Sequence, residues 1–265
     1  MTRWIRHKSP YLSWQVTEGI QAIFTTRQGG VSFSPFDTLN ISFNVGDLPS
    51  AVMENRRRVL ADIDHDLSQL VMAEQVHHNQ VAWVSPHDAG AGAMASRTAL
   101  PGLDGLLTHS DRVVLGMGFA DCVPIFIAVP EDHVVGLLHA GWRGTVRGVQ
   151  RQAIGLLKEE GIDLRQIHIG IGPSIGPCCY EVDERVANEF RAQMGGDAPL
   201  VATRAGHYLL DLWEANRQQL VELGIPDANI DISRWCTACH GDQFFSYRRD
   251  HGRTGRMGGF ICMSK

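Results

Sequence analysis

Three apolar runs stand almost back to back in the middle of the chain: V-V-L-G-M-G-F (113–119), P-I-F-I-A-V (124–129) and H-V-V-G-L-L (133–138). Each has the length and composition of a buried strand. Only A-D-C-V separates the first two, and the turn P-E-D (130–132) makes a hairpin of the last two. Further strands are expected at 21–26, 69–76, 81–84, 166–171 and 258–263. Helical periodicity follows at 145–159, where Val146, Val149, Ala153, Ile154 and Leu157 share a face, and at 208–223, where Leu209, Leu212, Trp213 and Leu220 do. Two more helices are expected at 183–194 and near 51–62. Strands flanked by helices, with no boundary strong enough to split the 265 residues, predict one catalytic domain over 1–265 of the α/β (α+β) class. Residues 29–50 read as a long ordered loop, and A-G-A-G-A-M-A-S (89–96) as a mobile surface loop.

Hydrophobic content of 44% and charged content of 20% exclude general disorder. A net charge of −5 gives no footprint for nucleic acid or an acidic membrane, and no obligate protein partner is read from the chain. No apolar run approaches 18 residues, and the N-terminal stretch M-T-R-W-I-R-H-K has no apolar segment of the kind a secretory leader carries. The expectation is a soluble, cytoplasmic protein whose six cysteines are reduced thiols, metal ligands or a nucleophile.

Several short patterns are set aside. G-I-G-P-S-I-G (170–176) places its third glycine one residue too late for a dinucleotide fingerprint, and Pro177 follows. Cys236-Thr237-Ala238-Cys239-His240 matches the haem-attachment pattern, but with no export signal it reads as a reduced structural pair. Cys178 and Cys179 read as two thiols packed separately, because a vicinal disulfide strains the backbone. Arg248, Arg249, Arg253 and Arg256 read either as a solvated loop or as a holder for a phosphate-sized anion.

Chemistry concentrates where strands stop. Cys122 lies two residues before Pro124, which breaks pairing in a central ladder, so its thiol can face a cleft. His139 ends an apolar run and enters A-G-W-R-G-T, a strand–turn–helix junction of the kind that binds anions, with Arg143 and Arg147 beside it. His77 and His78 sit in Q-V-H-H-N-Q-V; neighbouring side chains on a strand face opposite ways, so one of them points into a common site. One cysteine and two histidines suggest a Cys/His₂ metal site with an open fourth position, or a Cys–His nucleophile pair.

The strings T-T-R-Q-G-G-V-S (25–32), L-N-I-S-F-N-V-G-D (39–47), E-N-R-R-R (54–58), Q-V-H (75–77), D-G-L-L-T (104–108), A-D-C-V-P (120–124), H-A-G-W-R-G-T (139–145), I-G-P-S-I-G-P-C-C-Y-E-V (171–182) and F-F-S-Y-R-R-D (244–250) together resemble the laccase-domain family. That family has been called multicopper polyphenol oxidoreductase, and its members are also described as purine nucleoside phosphorylases with adenosine deaminase activity. The resemblance implies a layered α/β sandwich with a mixed sheet and a zinc site formed by His77, Cys122 and His139, copper being possible. The family pattern has Gly where this chain has His78. The implied substrates are purine nucleosides (adenosine, inosine, methylthioadenosine) and phosphate. Arg27, Arg143 and Arg248 are the candidate phosphate holders, and Asp121 is a candidate acid/base or a cap of the strand break. The alternatives are a copper-dependent polyphenol oxidase, a Cys–His hydrolase or amide editor, and a zinc-stabilised binding protein in which Cys236 or Cys239 supplies a fourth ligand.

Overall fold

The computed structural model describes residues 3–7 and 10–264; part of the N-terminal stretch read for a leader lies outside the described residues. The three apolar runs form strands Val114–Phe119, Val123–Val129 and Val134–Ala140. The first belongs to one six-stranded sheet and the other two to a second, so the chain crosses between sheets at Ala120–Cys122. The first sheet runs Trp4–Arg6, Tyr11–Trp14, Ile20–Thr25, Met257–Met263, Val114–Phe119, Leu70–Met72. The second runs Ile230–Ile232, His168–Ile171, Val123–Val129, Val134–Ala140, Gly105–Thr108, Val81–Trp83. Both are mixed: Leu70–Met72, Val81–Trp83 and Ile230–Ile232 pair parallel with their neighbours, and the other pairings are antiparallel.

The inner faces of the two sheets meet. Phe24, Leu115, Met117, Phe119 and Ile261 of the first pack with Leu106, Phe126, Val135 and Leu137 of the second. The outer face of the second sheet, with Leu107, Ile125, Ile127 and Leu138, buries Val149, Ala153, Ile154 and Leu157 of helix Val149–Glu159, Phe190 of helix Glu184–Met194 and Leu220 of helix Leu212–Glu222. The outer face of the first sheet packs Ile23, Met72, Val114 and Phe260 against Val59 and Leu60 of helix Pro49–Ala61. Central strands are therefore buried on both faces, which is why their sequences are near-continuous apolar runs without alternation. Among the described residues, no helix is long and apolar enough to cross a membrane.

Several local expectations are corrected. The helix expected over 145–159 is two helices, Trp142–Arg147 and Val149–Glu159, divided at Gly148 (φ 73°). The helix expected over 208–223 begins only at Leu212, where the Asp211 carboxylate accepts the Glu214 N–H; His207–Leu210 is instead a strand between Leu200–Arg204 and Glu181–Asp183. The strand expected over 69–76 shortens to Leu70–Met72, and Gln75 and His77 beyond it adopt left-handed φ of 61° and 60°. Segment 89–96 is anchored rather than mobile: Ala93 is wholly buried, and the Arg56 guanidinium donates to the carbonyls of Gly92 (2.6 Å) and Ala93 (2.8 Å). Pro124 does not break its strand. Its carbonyl accepts the Gly172 N–H just past the end of the neighbouring strand His168–Ile171, so its missing N–H faces a place where that ladder has already stopped.

Candidate active site

The two sheets deliver three candidate ligand side chains to one point. His77 stands in the loop beyond Leu70–Met72, Cys122 in the crossing between the sheets, and His139 one residue from the end of Val134–Ala140, opposite Pro124. Left-handed backbone at His77 (60°) and at Asp121 (84°) turns the chain inward at each loop. A nitrogen of each histidine and the Cys122 sulfur all lie within 4.8 Å of one another. The two imidazole rings meet edge to face at 4.8 Å between centroids. His77 is exposed, Cys122 half-buried and His139 buried, so the group opens to solvent on the His77 side.

Asp104 organises this cluster. Its carboxylate is fully buried, lies 2.8 Å from His139 Nδ1, and accepts the backbone N–H groups of His77 (3.0 Å) and His78 (2.7 Å). Its carbonyl accepts the His139 N–H at 2.8 Å. A proton held on Nδ1 by the carboxylate leaves Nε2 as the lone-pair nitrogen, which is the usual carboxylate–histidine–metal arrangement. Burial acts against the charge on the Asp104 carboxyl, but its bond to His139 and the two backbone donors outweigh that and hold it below its ordinary value. Burial likewise pushes the Cys122 thiol up, yet the charge and hydrogen bond of His139, with the bond from His77, bring it down to about 6. His139 is lowered by burial but raised more by the Cys122 charge and the Asp104 bond, reaching about 9.

Without metal, Cys122 and His139 are then a thiolate–imidazolium pair between those two values. A chelator-stripped sample should alkylate at Cys122 with a midpoint near pH 6, against 9.0 for an unperturbed thiol. The sign is that of a depressed acid: reactivity is present above about pH 6 and is lost below it. Mass spectrometry of the Cys122 peptide across a pH series checks this; a midpoint near 9 contradicts it.

The donors fit a zinc ion. Thiolate and imidazole are its preferred ligands, and bond lengths of about 2.0–2.3 Å bring tetrahedral donors to about 3–4 Å apart, within the observed span. Gly141 is part of the fit. A Cβ there would lie 2.8 Å from the Cys122 sulfur and 3.5 Å from the His77 ring, so the G in H-A-G-W is required by the cluster itself. Gly141→Ala should fold and yet lower zinc affinity roughly 10–100-fold, the range found when the surroundings of metal ligands are disturbed. Titration against a chromogenic chelator measures it; unchanged affinity contradicts the packing argument.

The cluster lines a cavity of about 760 Å³. Arg143, Arg147, Arg248 and Arg256 also line it, against the two carboxylates of Glu74 and Asp121, so among the described residues its charge is net positive. Arg143 stacks on Trp142 at 4.6 Å and Arg248 on Tyr180 at 5.0 Å. The Arg248 guanidinium donates to the Glu181 carbonyl at 2.8 Å. The helix that follows His139 has only six residues, so the arginines, not its dipole, dominate the local positive field.

Of the residues read from sequence, the structure brings His77, Cys122, His139, Asp121, Arg143 and Arg248 to this cavity, with His78 on its wall. It does not bring Arg27 there. That guanidinium donates to Asp37 and to the Gly241 carbonyl and lies over Phe245, at a separate surface hollow. Asp121 is not a free acid or base: its carboxylate accepts Thr237 Oγ1 (2.6 Å), Ser246 Oγ (3.0 Å) and the Arg248 N–H (2.7 Å). It pins the arginine-bearing loop to the Cys122 turn. Sequence reading missed Asp104, Tyr180 and Tyr247 as members of the site. D-G-L-L-T was visible as a string, but nothing local says that its aspartate faces a histidine 35 residues away. Cys236 and Cys239 do not supply a fourth ligand here; they lie in a second cluster with Cys178 and Cys179, which are free thiols and not a vicinal disulfide.

Comparison with known proteins places the chain among relatives of the same fold. The chain is 44% identical over 261 residues to "Purine nucleoside phosphorylase YlmD" of Geobacillus stearothermophilus, covering 97% of this chain and 93% of that protein. It is 40% identical over 253 residues to the Bacillus subtilis protein of the same name, covering 95% and 91%. The crystal structure of YlmD from Geobacillus stearothermophilus superposes with a TM-score of 0.97 at 41% identity over the full length of both chains. Residues 21–264 match the family model described as multi-copper polyphenol oxidoreductase laccase, a span that includes the three candidate ligands, Asp104 and the arginine loop. The chain belongs to that family.

Proposed function

We propose that the protein is a zinc-dependent purine nucleoside phosphorylase that cleaves adenosine, inosine and methylthioadenosine with phosphate, and that the same site also deaminates adenosine. The observation that carries this reading is one cavity holding both a Cys/His₂ cluster with three protein ligands and four arginines. In phosphorolysis a phosphate oxygen bonds to C1′ of the ribose while the C1′–N9 bond breaks. The bonding pair leaves with the base, which takes up a proton.

Arg143, Arg147 and Arg248 are the phosphate holders on this reading. The Arg248 main chain is fixed by Asp121, so the anion meets a preorganised donor. Phosphate bound there supplies the negative charge that the developing ribosyl cation needs. Tyr180 and Tyr247 line the cavity and offer faces on which a purine can stack. His78 lines it too and is not one of the three ligands, which leaves its imidazole to donate a proton to the leaving base. His77, Cys122 and His139 would hold the zinc, which would supply Lewis acidity to the site. Zinc is favoured over copper because a multicopper centre needs several histidine-rich groups, and among the described residues one candidate group contains histidine.

The test is adenosine incubated with metal-defined protein, with and without phosphate, followed by chromatography. Adenine and ribose 1-phosphate should appear only with phosphate, and inosine reports deamination. Release of free ribose at an unchanged rate without phosphate contradicts phosphorolysis.

A further inference from the structure

We propose that Cys178, Cys179, Cys236 and Cys239 form a second metal site, a tetrathiolate that binds zinc and locks together two loops behind the active-site cavity. The four sulfurs come from segments about 60 residues apart, and all lie within 4.8 Å of one another. Cys239 Sγ is 3.4 Å from Cys178 Sγ and 3.4 Å from Cys179 Sγ. All four are free thiols. Four sulfurs at about 2.3 Å from one zinc stand about 3.8 Å apart, so the cluster has tetrathiolate dimensions, far from the roughly 2.05 Å of a disulfide.

Two features separate this from chance crowding. First, Cys236 Sγ accepts the Gly176 N–H at 3.3 Å and a further backbone N–H from Cys239. Main-chain donors to sulfur stabilise a thiolate and fix its direction, as outer-shell partners do in metal sites. Second, the two segments are already joined: Ser174 N donates to the Trp235 carbonyl at 3.2 Å and Thr237 N to the Ser174 carbonyl at 3.0 Å. The ligands are thus presented by a formed scaffold. Cys178 and Cys239 are exposed, which gives an ion a route in.

With four protein ligands this site is closed, and its role is structural. The two loops it would tie both reach the cavity. Tyr180 follows Cys179 directly, and Thr237, beside Cys236, donates to the Asp121 carboxylate that holds Arg248. The proposal stands apart from the nucleoside reading and does not depend on it.

Elemental analysis of the full chain, purified under reducing conditions with zinc supplied, should find two zinc ions per chain. Cys122→Ala should retain one, and Cys178→Ser/Cys239→Ser should retain one. Should the double variant fail to fold, cobalt-loaded Cys122→Ala decides: it should show the intense thiolate-to-cobalt charge-transfer absorption of a tetrathiolate. Wild-type protein that holds only one zinc per chain, with the same content in Cys178→Ser/Cys239→Ser, overturns the proposal. So does a disulfide among these cysteines in freshly reduced protein kept free of oxygen, or a cobalt spectrum of Cys122→Ala without charge-transfer bands.

Discussion

Cys122→Ala should lower kcat/KM for adenosine phosphorolysis by roughly 10²-fold or more, with loss of zinc from the His77–His139 site. The reasoning is electrostatic before it is geometric. The sulfur is the anionic member of the ligand set, held as thiolate down to about pH 6 by His139 and His77. Alanine leaves two imidazoles, one of them exposed, and no anionic donor, and such a pair holds a divalent ion far less well. The fold should survive, because Cys122 is half-buried and packs at the margin of the inter-sheet core. Kinetics and metal content measured on one preparation, with circular dichroism to confirm folding, check the prediction. Turnover equal to wild type in well-folded, zinc-depleted Cys122→Ala would remove the cluster from the mechanism.

Asp104→Ala should be the most damaging change at a residue that touches neither substrate nor metal. It strands His139 Nδ1 and the backbone N–H groups of His77 and His78 without their acceptor. The His139–Asp104 contact is buried, and breaking a buried charged pair by removing one member costs about 3–5 kcal/mol; the two part-buried backbone bonds add a smaller loss. A thermal midpoint lower by many degrees is expected, together with zinc affinity reduced by roughly 10–100-fold. Asp104→Asn keeps the shape and should recover much of the stability while still weakening zinc, because a neutral amide does less to hold His139 in one tautomer. Asp104 also sets a pH limit. Its carboxyl is depressed in the folded state, so its contribution is present above the ordinary value of 3.8 and is lost as pH falls through the folded value. Acid unfolding of wild type should therefore be steeper below pH 4 than that of Asp104→Asn.

The layered core was legible because burial on both faces leaves a direct mark: the short apolar runs at 113–119, 124–129 and 133–138 suit interior strands. Short strands leave no such mark. Trp4–Arg6, Tyr11–Trp14, Leu200–Arg204, His207–Leu210 and Glu181–Asp183 are short and at least partly exposed; none is expected as a strand from the sequence, and 208–210 reads as helix. The helix break at Gly148 was misread because apolar periodicity continues across it. Segment 89–96 was misread because small residues signal mobility and close packing alike; here Arg56 and the buried Ala93 decide for packing.

At the site, Cys122 and His139 could be placed at strand ends, but convergence across 77, 122 and 139 is a property of topology that local spacing does not carry. Alternation on a strand could not choose between His77 and His78, because both lie beyond the strand, where the backbone at His77 is left-handed. The structure turns His77 into the ligand group and leaves His78 on the cavity wall. Arg27 has the same sequence character as Arg248, yet its guanidinium is spent on Asp37 and Gly241.

The central claim is that His77, Cys122 and His139 hold one metal ion facing the arginine-lined cavity. Anomalous diffraction at the zinc edge, on crystals of protein shown to release adenine in the presence of phosphate, tests it most directly. The account predicts a peak about 2.0–2.3 Å from the Cys122 sulfur and from one nitrogen of each histidine, with a side open to the cavity. Active crystals with no anomalous density between those three side chains would contradict it.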